Sequence, residues 1–105
     1  MDSTNQFLKP LTTKINNSDN IEIGGCDLVE LADKYGTPLY VLDEETIRSI
    51  CRDYKEAFKS YPKVNMMYAS KALCTTATST IVASEGFGFD VVSAGEIYTL
   101  WLYGR

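Results

Sequence analysis

Residues 64–92 read VNMMYASKALCTTATSTIVASEGFGFDVV, and this stretch decides the fold. Val64 to Ser70 (VNMMYAS) and Phe87 to Val92 (FGFDVV) are mostly apolar runs of strand length. Both look apolar on each face, as expected of parallel strands covered by helices. Thr75 to Ser84 lies between them. It is Thr-rich, which disfavours helix, yet Glu85-Gly86 forms a helix stop behind it, so we read it as a helix. Strand, helix, strand in this order implies a parallel pair.

The same alternation extends outward. Upstream, Asp27-Leu28-Val29-Glu30 resembles a capping box, and Leu28, Leu31, Ala32 and Tyr35 follow at helical spacing. Gly36 ends that helix and Pro38 prevents its return. Leu39-Tyr40-Val41-Leu42 reads as a short buried strand. Asp43, Glu44 and Glu45 open the next helix, where the dipole favours acids. Ile47, Ile50, Cys51, Tyr54 and Phe58 form its apolar stripe, with Arg48, Arg52, Lys55 and Lys59 away from it and Pro62 at its end. Downstream, Ser93-Ala94-Gly95-Glu96 is a second capping box. Ile97, Leu100 and Trp101 follow on one face, and Gly104 closes the helix. Residues 1–20 are polar and read as a loose arm, with the pattern tightening at Ile21.

The fold class is therefore α/β, with parallel strands alternating with helices. Three strands leave two open edges, a liability for a sheet. A complete (β/α)8 barrel needs about 250 residues, and this chain has 105, so it reads as a piece of a larger protein.

Composition narrows the function. Apolar residues make up 45% and charged residues 23%, which is ordinary for a globular domain. The net charge is −4 and the basic residues are scattered, so no nucleic-acid face is expected. No apolar run approaches the roughly 18 residues of a membrane span. The N-terminus lacks an apolar h-region, and no arginine precedes Arg48, so neither a secretory signal nor a transit peptide is expected. Cys26, Cys51 and Cys74 are far apart and read as reduced thiols of a cytoplasmic protein. No metal site is expected from them, because the chain has no histidine and no C-x-x-C pair. The missing histidine also removes every Ser-His or Cys-His catalytic pair. Chemistry here must use Lys, Asp, Glu, Tyr or Cys, or a cofactor.

Three residues could carry it. Lys71 follows the first strand, at the end where α/β barrels gather their chemistry. On position alone, a solvated lysine in a βα loop explains it better. Asp90 lies in the second strand. It is either wet near a sheet end or turned toward the lysine on the neighbouring strand. Glu96 is the N3 residue of its capping box, and capping outweighs a ligand role on spacing alone. Gly86-Phe87-Gly88 lacks the third glycine of a dinucleotide loop.

Longer blocks add a resemblance. Tyr68-Ala69-Ser70-Lys71-Ala72 resembles the Y-A-x-K-A motif of the diaminopimelate decarboxylases, whose lysine forms a Schiff base with pyridoxal phosphate. Gly86 to Tyr98 (GFGFDVVSAGEIY) resembles that family's G-x-G-x-D-V-V-S-x-G-E-x-Y pattern. Tyr35 to Val41 (YGTPLYV) looks like its entry segment. Ala94 stands where glycine is more usual, a small-for-small change. Leu73 stands where asparagine is common, which is expected to alter hydrogen bonding in that loop. Related ornithine and arginine decarboxylases usually read differently after the lysine and at D-C-A-S-x-x-E. Ala72 and Val91 to Glu96 therefore favour the diaminopimelate branch.

The resemblance implies the N-terminal part of a (β/α)8 barrel that binds pyridoxal phosphate. The chain would divide into an N-terminal arm, residues 1–26, and the start of the barrel domain, residues 27–105. It implies decarboxylation of meso-2,6-diaminopimelate to L-lysine in a cytoplasmic homodimer, with an amino acid as substrate. Lys71 would carry the cofactor, which Asp90 and Glu96 would help to bind. The family's phosphate loop and substrate residues lie further along its chain, so these 105 residues alone are not expected to be active. An ornithine- or arginine-type decarboxylase of the same fold, or a non-catalytic cofactor-binding module, are the alternatives.

Overall fold

A computed structural model describes residues 8–103. The chain divides into two compact units, one up to Thr46 and one from Ile47 onward.

The first unit holds three short strands, β1 (Lys14–Ile15), β2 (Ile21–Ile23) and β3 (Cys26–Asp27), joined antiparallel in chain order. Residues 14–20, expected to belong to a loose arm, instead form β1 and the polar turn into β2. The Asn16 Oδ1 accepts from the backbone N–H groups of Ser18 and Asn20, both at 3.0 Å. Asn and Ser fold back on their own backbone in this way, so a polar run can be well ordered. Gly24 and Gly25 take positive φ at the second turn.

Helix α1 (Leu28–Tyr35) starts where expected. The Asp27 Oδ1 accepts from the N–H of Val29 at 2.8 Å and of Glu30 at 3.2 Å. Gly36, at φ 81°, ends the helix. Leu28, Leu31 and Ala32 are half-buried, whereas Tyr35 is exposed with the Lys34 Nζ above its ring.

Leu39 to Leu42 does not form the expected strand. Its β-prone composition suits a pleated surface, but a strand also needs a partner backbone, and none pairs with it among the described residues. Tyr40 is 98% exposed. Val41 and Leu42 instead line a small cleft with Ile23 and Leu31.

Helix α2 (Glu44–Ala57) begins at the acidic cluster and runs into the second unit. There Ile47, Ile50, Cys51, Tyr54 and Phe58 line one apolar trough of about 570 Å³ with Met66, Met67, Tyr68, Ala69, Val82 and Phe87. The stripe read from the sequence thus faces strand β4 (Met67–Ala69) and helix α3 (Thr76–Ser84). Strand β5 (Gly88–Asp90) lies parallel to β4, with Met67 opposite Gly88, Tyr68 opposite Phe89 and Ala69 opposite Asp90. Met67 Sδ lies only 2.5 Å from where a Cβ on Gly88 would stand, so that position suits glycine.

The Thr-rich segment is a helix whose start is capped by one of its own hydroxyls. The Thr75 Oγ accepts from the Thr78 N–H at 3.1 Å and completes a capping box. Thr80 and Ser84 donate to the carbonyls of Thr76 and Ile81. At the other end Glu85 is buried. It accepts from Arg48 at 3.0 Å and from Arg52 at 2.9 and 3.0 Å, while the Lys55 Nζ donates to its carbonyl at 2.8 Å. These cations also suit the negative end of the α3 dipole. Three basic residues read as lying away from the apolar stripe thus fasten α2 to the end of α3. Gly86, at φ 85°, turns the chain into β5.

Helix α4 (Ala94–Tyr103) completes the described fold. The Gly104 stop lies outside the described residues. Leu100 is half-buried, while Ile97 and Trp101 stay exposed. The architecture is a mixed α/β fold with a parallel two-stranded sheet, a crossover helix between its strands, and a separate small antiparallel sheet.

Candidate functional site

The C-terminal ends of β4 and β5 lie side by side, and two of the three candidate residues occupy them. Asp90 is the last residue of β5 and sits opposite Ala69. Lys71 follows β4 by two positions, in a 3₁₀ turn of Ser70–Ala72. Parallel strands joined by a crossover helix present such ends together.

Both side chains are exposed. Among the described residues, neither the Lys71 amine nor the Asp90 carboxylate makes a hydrogen bond or an ion pair. The two share one edge of the sheet without pairing with each other. Asp90 is thus a residue at a sheet end rather than one buried between covered faces.

Glu96 behaves differently. Its Oε2 accepts from the Ser93 hydroxyl at 2.9 Å and from the Val92 N–H at 3.1 Å, while its own N–H donates to the Ser93 Oγ at 3.2 Å. The Ser93 hydroxyl thus takes the Glu96 N–H as the sequence suggests, while the carboxylate returns to the Val92 N–H rather than that of Ser93. Its Oε1 accepts from the Ser70 hydroxyl at 2.7 Å. The Ser70 bond pulls the Glu96 carboxyl below its ordinary range. Desolvation opposes this, and Ser93 and Val92 reinforce it.

Sequence reasoning missed Ser70 and Tyr68. Ser70 is 0% exposed, and its hydroxyl also lies 2.9 Å from the Asp90 carbonyl. The Tyr68 hydroxyl donates to the Leu73 carbonyl at 3.0 Å, and its ring meets Phe89 edge-on. A serine between a strand and a candidate lysine gives no periodic signal. The one available cue was a polar residue where the strand pattern calls for burial.

A free amine at a parallel-strand tip, with a carboxylate beside it, can condense with an aldehyde. Residues 45–104 match the family model described as pyridoxal-dependent decarboxylase, pyridoxal binding domain. The chain belongs to this family. Membership in this family implies pyridoxal phosphate as the cofactor.

Relatives agree. The chain is 48% identical to the diaminopimelate decarboxylase of Synechocystis sp. over 92% of its own length and 21% of that protein's. It is 48% identical to the enzyme of Bacillus methanolicus, over 89% of this chain and 22% of the relative. Against the Bacillus subtilis enzyme the values are 46%, 84% and 20%. The chain spans about a fifth of the length of these curated relatives. Among the described residues, no helix is long and apolar enough to cross a membrane.

Proposed function

We propose that the protein carrying this chain is a diaminopimelate decarboxylase, converting meso-2,6-diaminopimelate to L-lysine, with Lys71 holding pyridoxal phosphate. The observation that carries this reading is the unpaired Lys71 amine at the end of a parallel strand, inside a segment that matches the pyridoxal-binding family. The names of the relatives support the substrate and favour it over ornithine or arginine.

The residues present fit the cofactor. Lys71 offers a primary amine with no competing partner among the described residues, and its side chain is exposed. When bound, the cofactor supplies an electron sink for the pair released as CO2 leaves. Lys71 would hold it through Nζ. Asp90, at the adjoining strand end, would orient that amine or the ring.

The parallel pair β4–β5 and its crossover helix would be the first two strands of a (β/α)8 barrel, with further strands covering the outer edges. Residues 27–105 would open that barrel domain and residues 1–26 would precede it as an arm. The whole protein would be a cytoplasmic homodimer. Its unpaired cysteines accord with a reducing compartment.

Assaying the full-length protein with pyridoxal phosphate against meso-diaminopimelate, ornithine and arginine tests the reading. Lysine and CO2 from diaminopimelate, with at least tenfold lower kcat/KM for the other two, is the expected result. Preference for ornithine or arginine would refute it.

A further inference from the structure

The turn that carries Lys71 has little rigidity of its own. It is a three-residue 3₁₀ segment, and Ala69 at its start gives no side-chain capping bond. Its placement must therefore come from its ends.

At the near end, Ser70 is fully buried, with its Oγ 2.7 Å from Glu96 Oε1 and 2.9 Å from the Asp90 carbonyl. A hydroxyl has one proton to donate. The carboxylate is the nearer and the charged acceptor, so it takes that proton, while the Asp90 carbonyl lies within reach of the same group. At the far end, the Tyr68 hydroxyl holds the Leu73 carbonyl. The turn is thus pinned to α4 and to its own strand, with the β5 end beside it.

Glu96 completes the link. Capping accounts for its Oε2, which serves Val92 and Ser93. Capping does not account for Oε1, which reaches a residue 26 positions earlier in the chain. Both carboxylate oxygens already accept from the protein, Oε2 at the cap and Oε1 from the lysine turn.

We infer that Ser70 and Glu96 are positioning residues, whose hydrogen bond locks the turn presenting Lys71 and which do not themselves bind the cofactor. The inference rests on Lys71 being the cofactor lysine. It reassigns Glu96 from the pocket lining expected on sequence to the support behind it.

The test uses the full-length protein saturated with pyridoxal phosphate. The readouts are circular dichroism in the cofactor's absorption band, divided by bound cofactor, and the cofactor dissociation constant. Ser70→Ala should lower the dichroism per bound cofactor at least about twofold and raise the dissociation constant about tenfold. Ser70→Cys keeps the volume with a weak donor and should do the same, which covers the case where the alanine variant misfolds. Glu96→Ala should reproduce the loss. Ser93→Ala, which trims only the cap, should not. A purely structural link would lower the melting temperature and leave the dichroism per bound cofactor unchanged. Unchanged dichroism and affinity in a folded Ser70 variant would overturn the inference, as would an equal loss in Ser93→Ala. If the cofactor proves to sit on a residue other than Lys71, the functional reading fails first. If it sits on Lys71 and the Ser70 variants bind it normally, only the positioning role fails.

Discussion

Around Asp27 the polar side chains all serve nearby backbone or one another, whereas at the ends of β4 and β5 two charged side chains are left unpaired among the described residues. Asp27 accepts from Asn16 at 2.6 Å and Asn20 at 3.0 Å as well as from the first turn of α1. Thr12 and Thr46 both donate to Asp43. Lys71 and Asp90 have no such partners, although Ser70 beside them is tightly bonded. Around Asp27 and Asp43, polarity is architecture. At the strand ends, a satisfied layer supports groups available for chemistry, and that is the arrangement a covalent cofactor needs.

The contrast breaks most directly at Lys71. Lys71→Ala in the full-length protein should abolish covalent cofactor attachment and reduce decarboxylation below detection. Its far-UV spectrum should not change, because the side chain is exposed. A variant that keeps its activity would place the amine among the merely solvated lysines.

Packing gives the next largest effect. Val82 is 3% exposed and sits where α3 meets the α2 stripe. Val82→Ala should cost about 2 kcal/mol in urea denaturation, from two buried methyl groups and the space they leave.

A smaller effect separates the two regions by pH. Asn20 and Asn16 hold the Asp27 carboxyl at about 2, below an ordinary 3.8, against an opposing desolvation. A carboxyl depressed in the folded state contributes stability that is fully present above pH 3.8 and is lost as pH falls through about 2. Carbon-13 titration of Asp27 should therefore give a midpoint near 2, and Asp27→Asn should remove that acid limb from the stability profile. Arg52 and then Arg48 lower Glu85 in the same direction.

The smallest effect concerns the thiols. Burial and the nearby Glu85 push the Cys51 thiol up, while Cys26 is exposed. Iodoacetamide with mass spectrometric readout should label Cys26 well before Cys51.

The sequence made much of this legible. The α2 stripe, the β4–α3–β5 order and the Ser93 cap all follow from period and cap chemistry, which are local. The small N-terminal sheet did not, because its order rests on Asn16 and Asn20 bonding backbone and Asp27, and such residues also mark disorder. The Leu39–Leu42 strand was read from composition, but strands depend on partners that composition does not reveal. The Arg48, Arg52 and Lys55 anchor on Glu85 was half visible: positions i, i+4 and i+7 share a helix face, yet nothing local names the acid they meet. At the site, motif resemblance singled out Lys71, Asp90 and Glu96. The Ser70–Glu96 bond spans two elements, and only the fold brings it together.

One measurement tests the central claim most directly. The full-length protein, loaded with pyridoxal phosphate, is reduced with borohydride and its peptides are mapped by mass spectrometry. The pyridoxyl mass should fall on Lys71, within the peptide that carries Tyr68-Ala69-Ser70. A reduced adduct on any other lysine, with Lys71 unmodified, would contradict the account.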